Sequence, residues 1–453
     1  MSPSAEMPSL QEERVDDLDG QVKNFAYAYF AHTRSRMSAW CQRRSDWLAG
    51  SPVLWRQASF EVAYRKSTVT PMTQRRILVV AGAGVVADRF GHRRGKWAPL
   101  VDELERHYSV SGIVQPRTPR LPYVAATKRR LGVADRALAR SVRWTREVGE
   151  LIAQLREDYD FIFQFQTLLA CGTDFSKRRY VIYADNTLAL TLRHYPQWWS
   201  ANAEENASFL EFEARLARTA AAVCTLSNWA RTSMIEDYGC DPACVFAVGG
   251  GANPVRVPLR RWDEQVGLFV GVDFRRKGGD VLLAAWQQVR RRLPSAELWI
   301  IGPRRRDNSV DGIRWLGRRA PEEVEGFRAR ATVFVMPSLF EPWGFAFNEA
   351  MASGLPCIGT TACAMPEIIE DGVSGRLVGP GDADELADAL VEILSDPEHA
   401  ARLGSAAQDA FIRQGSWESV AARVAAAIDG ALSGEAARET RAEKPLINDS
   451  SYP

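Results

Sequence analysis

The chain has no run of about 18 apolar residues, so no segment is expected to cross a bilayer as a helix. Its first residues lack the basic-then-apolar order of a secretory leader. It also lacks an excess of either charge. The 57 Lys and Arg face 56 Asp and Glu, a formal net charge of +1, which argues against nucleic acid as a partner. The seven cysteines are scattered; Cys240 and Cys244 are close, but no second Cys/His pair at zinc spacing joins them. That pattern excludes a disulfide framework and predicts reduced thiols in a cytoplasmic protein. What remains is an ordinary globular balance, 46% hydrophobic and 25% charged, over 453 residues, enough for two domains with extensions.

The most informative stretch is Ala331 to Thr360. The apolar run Val333 to Met336 predicts a strand ended by Pro337 and Ser338. A loop carries Glu341, Pro342, Trp343 and Gly344, and a short helix is expected from about Phe345 to Ser353. Gly354 suits a left-handed stop, Pro356 forbids continuation, and the next strand begins there. Strand, loop, helix and strand form one unit of a parallel α/β sheet. The first helical turn presents free N–H groups and a positive dipole end, which suit phosphate, and Gly344 lets a ligand approach the backbone. Glu349, eight positions after Glu341, could accept hydrogen bonds from ribose hydroxyls. Taken alone, the pair also fits a capped surface helix with two solvated glutamates.

The whole block, with PS, EPWG and EAMASGLP, resembles the E-x7-E region of family-four retaining glycosyltransferases of the GT-B fold. The resemblance covers roughly Arg76 to Asp429. It implies two Rossmann-like α/β domains with parallel sheets facing a central cleft. It also implies that Glu341 lies by the transferred sugar, that Glu349 binds ribose, and that the Gly344, Phe345 and Ala346 backbone holds sugar and phosphate. Where that family reads G-R-x4-K-G, this chain has Gly271-Val272-Asp273-Phe274-Arg275-Arg276-Lys277-Gly278. Lys277 is retained for the diphosphate and as a catalytic cation. Val272 replaces the arginine, which Arg275 or Arg276 could make good.

Residues 1–75 fall outside the resemblance. Met1 to Gly20 is polar and acidic and expected to be disordered. Gln21 to Lys66, with Trp40, Trp47 and Trp55, fits amphipathic helices on a membrane surface or packed on the first domain. A natural start at Met72 is a third reading. In the first domain, residues 76–262, the strand Arg76 to Ala81 leads into Gly82 and Gly84, where relatives face the donor. Arg117 to Arg146 is strongly basic, either a solvated face or a surface for an anionic acceptor or acidic lipid. Asp158 and Asp160 precede the strand Phe161 to Phe165 and are read as loop carboxylates, not metal ligands. Asp185, at the end of the strand Arg179 to Tyr183, is the acceptor-side candidate; a helix cap by Asp185, Asn186 or Thr187 is the plainer alternative.

The second domain is expected over residues 263–415, a crossover helix back to the first domain over 416–433, and a disordered tail over 434–453. The resemblance implies transfer of a hexosyl group from a nucleotide diphosphate sugar to a glycan, lipid-linked or small-molecule acceptor, with retention and without cofactor or metal. A degenerate fold serving as a binding or scaffold protein is the alternative from a different class.

Overall fold

The computed structural model describes residues 74–81, 86–87, 93–94, 96–116, 137–155, 158–199, 201–255, 259–303 and 310–442. Expectations on residues 1–72, on Gly82 and Gly84, on most of the basic stretch before residue 137 and on 443–453 lie outside them.

Twelve parallel strands form two six-stranded sheets. The first contains β1 (Arg76–Val80), β2 (Ser109–Val114), β3 (Phe161–Phe165), β4 (Tyr180–Ala184), β5 (Ala222–Thr225) and β6 (Val245–Ala247), in the order β2-β1-β3-β4-β5-β6. The second contains β7 (Val266–Val270), β8 (Glu297–Ile301), β9 (Ile313–Gly317), β10 (Val333–Val335), β11 (Cys357–Thr360) and β12 (Gly375–Val378), in the order β9-β8-β7-β10-β11-β12. The strand order reverses between β1 and β3 in the first sheet and between β7 and β10 in the second. Ligands of open α/β sheets bind outside the strand C-termini at such switch points.

Helices cover the sheets: α1 (Ala98–Leu104), α2 (Ala137–Ala153), α3 (Leu188–His194), α4 (Ala203–Arg218) and α5 (Asn228–Glu236) in the first domain. The second has α6 (Gly279–Arg292), α7 (Pro321–Arg330), α8 (Phe345–Ala352), α9 (Met365–Ile368), α10 (Ala383–Ser395) and α11 (Pro397–Ala410). Strand β1 shows why both faces need cover: Ile77 and Val79 enter one apolar cluster, while Leu78 and Val80 enter another on the opposite face. Gly278 opens α6 at φ +71°, and a Cβ there would lie 1.7 Å from the Pro337 carbonyl oxygen, so only glycine lets these two loops touch.

The chain crosses between domains twice, and the crossings pair: Ala252 bridges Ser416, with Ala252 N–H donating to the Gly415 carbonyl at 2.9 Å. Ser416 caps the helix that follows, its Oγ accepting from Ser419 N–H at 3.1 Å. The last helix, α12 (Trp417–Ala442), buries Val420, Val424 and Ile428 and returns to the first domain, where the Tyr108 hydroxyl donates to the Ala425 carbonyl. It continues nine residues past 433, correcting the disordered tail expected from 434 onward. Arg260, at the entry to the second domain, is anchored. Its guanidinium donates to the carbonyls of Arg328, Ala331 and Ser353, satisfying the ends of α7 and α8. Burial draws its pKa down to about 10, so it stays protonated at neutral pH.

Candidate functional site

The loop after β7 and the loop after β10 meet at the switch point of the second sheet. There the Glu341 carboxylate accepts from Lys277 Nζ at 3.1 Å and from Arg276 Nη1 at 3.3 Å. Glu341 and Arg276 are each only 8% exposed. Arg276 is held further by the Phe340 carbonyl at 2.6 Å and by Asp273 at 3.2 Å. The sequence left Arg275 and Arg276 equivalent, and the structure separates them. Arg275 points outward, its side chain 81% exposed and 3.4 Å from Asp280. Val272 is 60% exposed at the loop surface.

Helix α8 follows Glu341 directly, so its N-terminus faces the same crevice. Two features shape its first turn. The Phe345 amide closes a turn on the Trp343 carbonyl at 3.2 Å, so it is not free for phosphate; the Ala346 amide makes no backbone bond of that kind among the described residues. Gly344 makes room for its own helix, since a Cβ would lie 2.3 Å from the Phe347 ring. The Phe345 ring leans on the first domain's Trp97 at 5.4 Å and stacks on Trp417 at 5.8 Å. Glu349 is half-exposed on α8 and accepts from Arg328 Nη1 at 2.8 Å. Arg328, buried on α7, was missed in the sequence. Pro321 at the first helical turn, followed by Glu322 and Glu323, is a start signal that could have revealed that helix.

On the facing lip of the first domain, Asp185 follows β4 and pairs with Lys96 at 3.2 Å. It does not cap α3; Thr187 does, accepting from Leu190 N–H. Lys96 also lies over the Trp97 and Phe345 rings, at 4.3 and 4.4 Å, and so touches both domains. Behind Asp185 opens a cavity of about 290 Å³ walled by Leu168, Trp198, Trp199 and Phe209. Gln166 lines it with φ +65°, a backbone conformation non-glycine residues rarely hold, at the C-terminal end of β3. The buried Glu213 closes its floor, accepting from the Thr167 and Tyr238 hydroxyls and from Leu188 N–H; burial raises its pKa above the usual carboxylate range. Asp158 and Asp160 pair with Arg76 at the opposite end of this sheet, far from the crevice, in keeping with their reading as loop carboxylates.

Two Rossmann-like domains, a crevice between their strand ends and a C-terminal helix that returns to the first domain define the GT-B fold. Sucrose-phosphate synthase from Thermosynechococcus elongatus superposes with a TM-score of 0.61 at 19% identity, over 82% of this chain and all of that one. HepE of Anabaena, in a structure holding UDP and glucose, gives 0.54 at 17% identity over 78% and 99%. Residues 264–396, most of the second domain, match the family described as Glycosyl transferases group 1. In sequence, the MMP alpha-(1->4)-mannosyltransferase of Mycolicibacterium hassiacum is 30% identical over 242 residues, 51% of this chain and 59% of that relative's length.

Proposed function

We propose that the chain transfers a hexosyl group from a nucleotide diphosphate sugar to an acceptor hydroxyl, with retention of configuration. The observation that carries this reading is the buried trio of Glu341, Lys277 and Arg276 at the switch point, beside the N-terminus of α8. When the bond from the anomeric carbon to the diphosphate breaks, its electron pair leaves on a phosphate oxygen. Lys277, Arg276 and the Ala346 amide are the groups in reach of that growing charge. Glu341 serves the sugar, and the Glu349 oxygen left free by Arg328 serves the ribose. The acceptor hydroxyl then bonds the same face of an oxocarbenium-like carbon through its oxygen and gives its proton to the departing phosphate oxygen. Asp185 is the acceptor-side group, and the aromatic-walled cavity behind it suits a glycan or the head of a lipid-linked acceptor. The described basic face of α2, with Arg143 and Arg146 exposed, is compatible with an acidic membrane surface. The mannosyltransferase and glycogen synthase names among relatives support a hexose.

A thermal-shift panel of UDP, GDP and ADP with their glucose and mannose conjugates tests this, because a ligand of the native state raises its melting point. At least one nucleotide is expected to raise it, and the matching sugar to be turned over with its anomeric configuration kept, as read by proton NMR. No response to any nucleotide would sink the donor reading. Binding without turnover would put the scaffold alternative ahead.

A further inference from the structure

Phe340 immediately precedes Glu341 and belongs to the second domain, yet its ring is fully buried among side chains of the first. Tyr195 stacks on it at 5.7 Å and 9°, while Trp198 and Trp229 meet it edge-on at 5.5 and 6.0 Å. Its carbonyl holds Arg276, and the Arg276 guanidinium lies 4.9 Å over the Trp198 ring. Trp229 is fastened a second time. The Glu367 carboxylate of the second domain accepts from Asn228 N–H at 2.7 Å and from Trp229 N–H at 2.9 Å, at the start of α5. That carboxylate faces the positive end of a helix and takes two amides that lack intrahelical partners.

We propose that Trp229, with Tyr195 and Trp198, is a positioning device of the first domain that sets Glu341 and Arg276 in the second. The inference rests on the transferase reading for the role of Glu341, but its geometry does not. An aromatic ring held on three sides has little freedom, and the residue after it inherits that restriction. Stacked and edge-on aromatic pairs contribute beyond their buried area, so the box holds its shape while the domains are together. When the domains part, the ring loses all three partners at once. Arg276 loses the Trp198 face, and the loop carrying Glu341 is released. Closing the crevice and assembling the trio are thus one event. A donor bound to the second domain alone meets an unset Glu341 until the first domain arrives.

The test uses the full chain with Trp229→Ala, Trp229→Phe and Phe340→Ala. None of these side chains contacts Lys277 or Glu349. With whichever nucleotide sugar the wild type turns over, Trp229→Ala is expected to lower kcat at least about tenfold while KM and the Kd of the free nucleoside diphosphate stay within about threefold. Trp229→Phe should recover most of the loss, and Trp229→Ala/Phe340→Ala should be no worse than Phe340→Ala alone, because Phe340→Ala already removes the Trp229 contact along with those to Tyr195 and Trp198. Full turnover in Trp229→Ala would overturn the proposal, as would parallel losses of kcat, nucleotide affinity and melting temperature, the mark of a merely structural contact. Small-angle scattering separates this outcome from failure of the transferase reading. UDP or GDP should compact the wild type and leave Trp229→Ala expanded, whether or not any sugar is transferred. Equal compaction of both proteins would refute the coupling.

Discussion

The crevices of the two sheets are built on opposite plans. In the second domain the charged groups are buried and pair with one another: Glu341 takes both Lys277 and Arg276. In the first domain Asp185 and Lys96 keep part of their surface in water, and the buried carboxylate nearby, Glu213, is spent on holding the loops together. Buried, self-paired charge makes residues of the proposed donor site struts of the fold as well; charge that stays wet can be altered at little cost to the fold.

The largest effect expected from this contrast is Glu341→Ala. It leaves the buried Lys277 without its carboxylate and Arg276 with only Asp273 as a carboxylate partner, so unfolding by urea should show a loss of about 3–5 kcal/mol. Asp185→Ala, breaking the partly exposed pair with Lys96 on the first domain's lip, should cost under about 1 kcal/mol. Equal losses at the two sites would abolish the distinction. Next comes Lys277→Ala, expected to weaken nucleoside diphosphate binding about ten- to a hundredfold by calorimetry, the scale of a charge-assisted contact. An unchanged affinity in a folded Lys277→Ala protein would remove the cation from the donor site.

A smaller effect concerns pH. Burial raises the folded-state pKa of Glu213 above its ordinary value of 4.5. The folded form therefore holds its proton more tightly than the unfolded chain, and the sign follows: the contribution is fully present below pH 4.5 and is lost as pH rises through the raised value. Glu213→Gln can keep the Thr167, Tyr238 and Leu188 bonds with its amide oxygen and nitrogen. It should flatten the decline in melting temperature between acid and neutral pH; an unaltered slope would place that decline elsewhere. The smallest effect is Arg275→Ala, which should change neither stability nor diphosphate affinity by more than about 0.5 kcal/mol. A larger loss of affinity would mean that the outward arginine, not Arg276, stands in for the cation that Val272 replaces.

Much of this architecture was legible in the sequence because local chemistry wrote it there. Short apolar runs bounded by Gly and Pro marked the strands of both sheets, and Ser227, Asp382 and Ser416 announced their helices as caps. The Glu341, Trp343, Gly344 and Glu349 block identified the second domain, since its spacing lies within one loop and one helix. Helices α4 and α7 carried start signals in Asn202 and Pro321 but little else to distinguish a packed helix from a solvated one, and Arg328 went unseen with α7. Adjacent positions gave no means to choose between Arg275 and Arg276. Only the loop's path, pinned where Gly278 meets Pro337, turns one inward and the other out. The aromatic box around Phe340 draws on residues separated by more than a hundred positions, and Glu367 reaches α5 over a similar distance. The sequence by itself determined the elements, the two-domain order and the chemistry offered to a phosphate, because those depend on near neighbours. Tertiary structure decided which charges are paired, which arginine is inside and how one domain grips the other, because burial and contact are properties of the folded whole.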